Sequence, residues 1–234
     1  MPPGSPPELE LPAAEIALGV LGAYNRAYWP AALFGAGLAL AALALVLVKP
    51  GLFSDVVAKL VLDLLWLWTG VLFFIDRLGP EFNVAYLFGL AFIFQGTFLI
   101  VDVFYGTLEF RPSRNAGKVV ASLMLFAVVG GLHPVLSTTF GRGWPELRLV
   151  GTAPGATAAF TLVMLTFTLH KPRPLFFFLP AAWALAAGIR LAQAWGLYED
   201  LVWAGVAAAV ILWFAAEAIR ARPRRVVAAE GAAP

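Results

Sequence analysis

The chain has 234 residues, of which 61% are hydrophobic and 13% charged, and its net charge is only +2. Soluble globular proteins carry roughly 25% charged residues, so this composition cannot supply a polar shell and excludes a soluble domain. The apolar residues also come in runs of about 20, the length a helix needs to cross roughly 30 Å of hydrocarbon, so the expected class is an all-α integral membrane protein.

In chain order, residues 1–28 read as an N-terminal tail and one amphipathic helix. Residues 1–15 hold several prolines and three glutamates but no basic n-region. A cleaved signal peptide is therefore not expected, and the first span does the targeting. Over Glu15–Tyr28, Ile16, Ala17, Val20, Leu21, Tyr24 and Tyr28 share one helical face, and Glu15, Gly19, Gly22, Asn25 and Arg26 lie mostly opposite, with Leu18 on the more polar side. Continued into the first span, this helix would reach about 50 Å at 1.5 Å per residue, too long for the bilayer. Pro30 is the natural break, which predicts an interfacial helix on the outer surface.

Residues 29–220 then read as a seven-transmembrane-helix bundle. The spans are expected at Trp29–Val48, Val56–Phe74, Asn83–Tyr105, Lys118–Leu136, Ala156–Leu169, Leu175–Trp195 and Leu201–Arg220, the fifth being short. Lys49-Pro50-Gly51, Gly79-Pro80, Arg111-Pro112-Ser113 and Lys171-Pro172-Arg173-Pro174 punctuate them, since proline and glycine stop helices for backbone reasons. The longest loop, Ser137–Gly155, carries Arg142, Trp144, Glu146 and Arg148 and is expected to pack over helix ends. Residues 221–234 are expected to form a basic, disordered cytoplasmic tail.

Lys and Arg set the orientation. Lys49, Lys59, Arg111, Arg114, Lys118, Lys171, Arg173, Arg220, Arg222, Arg224 and Arg225 fall on one side, against Arg26, Arg77, Arg142, Arg148 and Arg190 on the other. That asymmetry predicts a cytoplasmic C-terminus and, with seven spans, an external N-terminus in a bacterial cytoplasmic (inner) membrane. The two ends of the chain also share a pattern. Pro30 opens a span closing on Lys49-Pro50, and Pro154 opens one closing on Lys171-Pro172. Each is followed by a Trp-containing span, an acidic outer loop and a third span, which reads as a 3+1+3 parallel repeat.

Ionisable residues inside a membrane are costly and need a reason. In the second span Lys59, Asp63, Trp66 and Gly70 fall on one stripe, and Lys59 is the i−4 partner expected for Asp63. Gln95 and Asp102 share a face of the third span, with Asp102 within a turn of the inner end and able to reach water. Glu217 is similarly shallow, with Arg220 three residues on. Asp63, Asp102 and Glu217 together have the distribution of an inner cation or proton vestibule. Asp76, His133, Arg190 and Gln193 form a candidate outer pocket, Arg190 either snorkelling or facing Asp76 or Glu199. Trp29, Trp144, Trp195 and Trp203 are placed as an outer aromatic belt.

No catalytic constellation is legible. There is no H-E-x-x-H, G-x-S-x-G, paired-aspartate protease signature, P-loop or dinucleotide fingerprint. Cysteine is absent, which removes disulfides, thiolate metal sites and lipidated cysteines. His133 and His170 are placed at opposite faces and cannot share a metal or a haem, and the seventh span has no lysine for a retinal Schiff base. Neither an enzyme nor a cofactor is expected. The basic residues sit at span ends, where they fit topology and lipid rather than nucleic acid.

Ala23–Pro30, Trp66–Val71, Asn83–Gly89 and Tyr198-Glu199-Asp200-Leu201 together resemble an uncharacterised family of multi-pass bacterial inner-membrane proteins, a domain of unknown function. The resemblance implies the membrane fold and carries no activity and no functional residues. From the residues themselves, the expected function is transport or permeation of a small solute or ion. The alternative is a structural or accessory membrane subunit in an oligomer or complex, and an intramembrane enzyme is the third reading.

Overall fold

A computed structural model describes residues 14–220, so the basic tail expected at 221–234 lies outside the described residues. The chain breaks first at Tyr28, whose backbone (φ −118°, ψ 24°) leaves the α region between α1 (Ala14–Ala27) and α2 (Trp29–Val48). Pro30 follows in the first turn of α2, where a missing N–H costs nothing. α1 does not lie free on a surface. It packs its buried Ala17, Leu21 and Tyr24 onto the bundle, and Gly22 and Asn25 from the face expected to be polar are buried with them. The Asn25 amide donates to the carbonyls of Pro145 (2.6 Å) and Leu147 (2.8 Å), which ties α1 to the long loop. Burial pushes the Tyr24 phenol well above its ordinary pKa, and it stays neutral while accepting from the Trp68 indole at 2.6 Å.

α2 shows how the bundle is assembled. Most of its inward positions are small, with Ala32, Gly35, Ala39 and Ala42 buried alongside Leu43 and Val46, whereas Leu33, Phe34 and Leu40 face outward. Without a hydrophobic drive between helices in lipid, small residues that allow close approach belong inside and large ones outside. α3 (Leu52–Leu78) is longer than expected because, after Trp68, it continues in π-helical winding over Thr69–Leu78. Such winding is rare and concentrates at functional sites. α3 crosses α4 (Val84–Tyr105) at a glycine pair: a Cβ on Gly70 would lie 3.0 Å from the Gly89 carbonyl oxygen. α5 (Ala116–Thr139) is peripheral, and its few buried side chains, Ser122, Val129, His133 and Ser137, form one mostly polar stripe.

The fifth expected span departs from its prediction. The helix there is α6 (Pro154–Leu165), 12 residues long. At 1.5 Å per residue it covers about 18 Å and cannot cross a bilayer as a helix. Every residue from Gly155 to Leu165 is buried, so α6 is the centre of the bundle rather than a lipid-facing span. After Leu165 the backbone is irregular, with Phe167 buried and Leu169–Lys171 exposed. It pairs with the loop after α4: Arg111 N–H donates to the Phe167 carbonyl (2.7 Å) and Leu169 N–H to that of Glu109 (2.8 Å). α7 (Pro174–Trp195), a short turn at Tyr198–Asp200 and α8 (Leu201–Arg220) complete the fold. Among the described residues, six helices are thus long and apolar enough to cross a membrane.

The two triplets of the expected repeat are unequal. Their first members are a 20-residue helix with outward-facing large side chains and a 12-residue helix buried all round. The bundle has two ends. α1, the Phe140–Ala153 loop and the α7–α8 turn gather at one, here the α1 end. The α2–α3 turn, the loop after α4, the loop after α6 and the last turn of α8 gather at the other, the tail end.

Candidate functional site

The residues with chemistry divide between these two ends. At the tail end, Lys59 does not pair with Asp63. Its ammonium lies 2.8 Å from the Asp102 carboxylate on α4 and donates to the Asp102 carbonyl at 3.1 Å. Asp102 does not reach water: it is 3% exposed and also accepts from the backbone N–H of Thr107 (3.0 Å) and Leu108 (2.9 Å) and from the Thr107 hydroxyl. Asp55 works in the same way, accepting from Phe110 N–H (2.8 Å) and pairing with Arg111 at 2.6 Å. That carboxylate raises the pKa of the Arg111 guanidinium. These two acids pin the loop after α4 into the bundle.

Glu217 pairs with Lys118 of α5 instead of Arg220, in a shallow groove that also includes Asn115 and Arg220 but neither Asp63 nor Asp102. The inner vestibule expected from three carboxylates is therefore not formed, because helix packing gives two of them separate basic partners. Asp63 is left buried with Oδ1 unpartnered against the Gly96 backbone, and the Gln95 amide nitrogen is likewise buried and unpartnered.

At the α1 end the expected outer pocket is also redistributed. Asp76 is half exposed and pairs with its neighbour Arg77 at 2.9 Å, and Gln193 is exposed. His133 is fully buried, with Nε2 3.0 Å from Asp200 Oδ1 and its ring stacked on Trp203 at 4.4 Å. Trp203 is correspondingly a core residue rather than part of an aromatic belt. Asp200 belongs to a buried cluster that the sequence reading did not assemble. Arg142 Nη1 donates to both oxygens of Glu199 (3.0 and 2.9 Å), and Arg148 Nη2 donates to Glu199 and to Ser137. Arg148 Nε lies 3.4 Å from Asp200, an ion pair without hydrogen-bond alignment. The long loop therefore does more than cover helix ends: it delivers two guanidinium groups to the Tyr198–Asp200 turn that precedes α8. The available signal was charge matching, two loop arginines against the adjacent Glu199-Asp200.

Beside this cluster lies a cavity of about 470 Å³. α1 closes one side with Ala17, Leu18 and Leu21, and the π-wound part of α3 supplies Phe73, Phe74 and Leu78. α7 forms the opposite wall with Leu179, Trp183 and Ala187, and Pro154 and Gly155 bring in the start of α6. Of the four residues expected in an outer pocket, Arg190 alone lines it, and it is exposed. Arg148 lines it too, buried, with Nη1 unpartnered. The lining is otherwise apolar, so the site can hold an apolar body and orient it by a few polar contacts.

Among the described residues, six membrane-length apolar helices, several of them packed on the buried α6, define a multi-pass helical membrane protein. The chain belongs to a family of unknown function, DUF6064, whose model matches residues 14–224. No curated protein and no solved structure matches it.

Proposed function

We propose that this chain takes a small solute into the cavity between α1, α3 and α7 and moves it across a bacterial cytoplasmic membrane without chemistry on it. The cavity carries the reading. At about 470 Å³ it falls within the roughly 300–1,000 Å³ of small-molecule sites. Its mouth is open beside the exposed Ala186 and Arg190 and its floor reaches the buried Arg148 and Trp203, a form suited to admitting a solute. The apolar lining favours an organic solute over an inorganic ion. The Lys and Arg asymmetry supports an external N-terminus and a cavity in the outer half. The 3+1+3 arrangement is supported by the pairing of second and third members in each triplet, α3 with α4 and α7 with α8.

A second reading, an accessory subunit in an oligomer or complex, is favoured by the tail end. There Lys59, Asp102, Asp55 and Arg111 close on protein partners, as structural pins would. Flux of protons, cations and small neutral and charged organic solutes into proteoliposomes separates the two. Ala187→Phe fills the cavity from α7, and the solute's flux is expected to fall at least about tenfold, equivalent to about 1.4 kcal/mol of lost binding. The unfolding temperature should hold. No flux of any solute, with stable co-purification of a partner, would favour the accessory subunit instead.

The absence of cysteine makes the orientation directly testable. A Glu15→Cys variant should react with an impermeant maleimide on intact cells, and an Arg114→Cys variant only after permeabilisation. The reverse pattern would invert the topology.

A further inference from the structure

We infer that the cavity takes an amphipathic anion: a single apolar chain ending in a carboxylate or phosphate group. The inference rests on the reading of the cavity as a solute site and names the class of solute. Every polar side chain that lines the cavity can donate a hydrogen bond and none can accept one: Arg148, Arg190, Trp183, Trp195 and Trp203. Three of these donors are buried without a partner, namely Arg148 Nη1 and the indole N–H groups of Trp183 and Trp203. Buried donors in folded proteins are nearly always satisfied, so the cavity calls for an acceptor-rich occupant.

Charge narrows the class further. Arg142 and Arg148 are balanced by Glu199 and Asp200, whereas Arg190 has no ion-pair partner among the described residues. Among the described residues the lining includes no acid, so its surplus is positive. The start of α6 adds to this: Gly155 borders the cavity, no side chain caps the helix, and the free N–H groups of a first turn favour anions. A neutral ester or alcohol would satisfy the donors but leave Arg190 uncompensated. The aromatic and aliphatic walls of α3 and α7 accept the chain.

The test is binding of dodecanoate, dodecanol and dodecyltrimethylammonium to the full chain in phosphatidylcholine nanodiscs, read by calorimetry and by the fluorescence of the lining tryptophans. Dodecanoate should bind at least about tenfold tighter than dodecanol, the scale of a charge-assisted hydrogen bond, and the ammonium no tighter than dodecanol. Arg190→Gln, at an exposed site, should remove most of the preference without unfolding the protein. Arg148→Lys keeps the buried charge and should weaken dodecanoate binding while sparing dodecanol.

Repeating the titration in phosphatidylglycerol nanodiscs identifies the source of the anion. Lost dodecanoate binding there assigns the site to the phosphate and one acyl chain of an anionic lipid, and retained binding to a free single-chain carboxylate. Equal affinity for dodecanol and dodecanoate, or Arg190→Gln without effect, overturns the anionic class. If Ala187→Phe then abolishes dodecanol binding, the cavity still stands as a solute site. If no probe binds and no flux is seen, the solute-site reading falls with it.

Discussion

Glu199→Gln is expected to cost about 3–5 kcal/mol of stability, the usual penalty for stripping one partner from a buried ion pair. Glu199 is 1% exposed and accepts from both Arg142 and Arg148. Glutamine keeps its shape, so no cavity opens and the loss is electrostatic. Arg142 would then lose its carboxylate, and Arg148, only 5% exposed, would keep Asp200 alone. For a chain of this length the unfolding midpoint should fall by roughly 10 °C. Adding Arg142→Met, which removes the surplus charge, should recover part of it. A change below about 1 kcal/mol, the range of solvent-exposed pairs, would show that water reaches the cluster and that the long loop does not seal it.

Lys59→Met should destabilise by about 3 kcal/mol, near the lower end for a broken buried pair. Asp102 would lose its counter-ion but keep the N–H groups of Thr107 and Leu108. The sharper measurement is a pair of double-mutant cycles. Lys59 with Asp102 should show a coupling of about 1–3 kcal/mol, and Lys59 with Asp63 should be additive within about 0.5 kcal/mol. Asp63→Asn alone should be nearly neutral for folding, because Oδ1 of that carboxylate has no partner to lose. Strong coupling between Lys59 and Asp63 would overturn the assignment and restore the pair expected from their i, i+4 spacing.

These two cases mark how far the sequence reaches. Glu199 and Asp200 were legible as an acidic turn and Arg142 and Arg148 as loop charges, but 51 residues separate Arg148 from Glu199, and no local pattern joins them. The same holds for the cavity. Arg190 was picked out as an outer-side arginine, whereas Arg148 was read as part of a covering loop. Trp183 and Trp203 carry no signal separating a lining residue from a belt residue, since both settings want a large amphipathic ring.

What the sequence determined by itself is everything set by local composition. Runs of about 20 apolar residues fix six membrane-length helices, and the break before Pro30 fixes a separate α1. The Pro- and Gly-containing turns fix most of the ends. These features follow from solvation of a segment and from backbone sterics, neither of which depends on distant residues. Only the tertiary structure decided that the fifth segment is a 12-residue buried core helix, that Lys59 turns to Asp102, and that a donor-lined cavity opens beside α1. A flexible lysine can reach along its own helix or across to the next, and the close approach of α3 and α4 at Gly70 and Gly89 brings the second partner within range. Spacing along a chain enumerates possible partners, and packing selects among them because each choice must satisfy every buried charge at once.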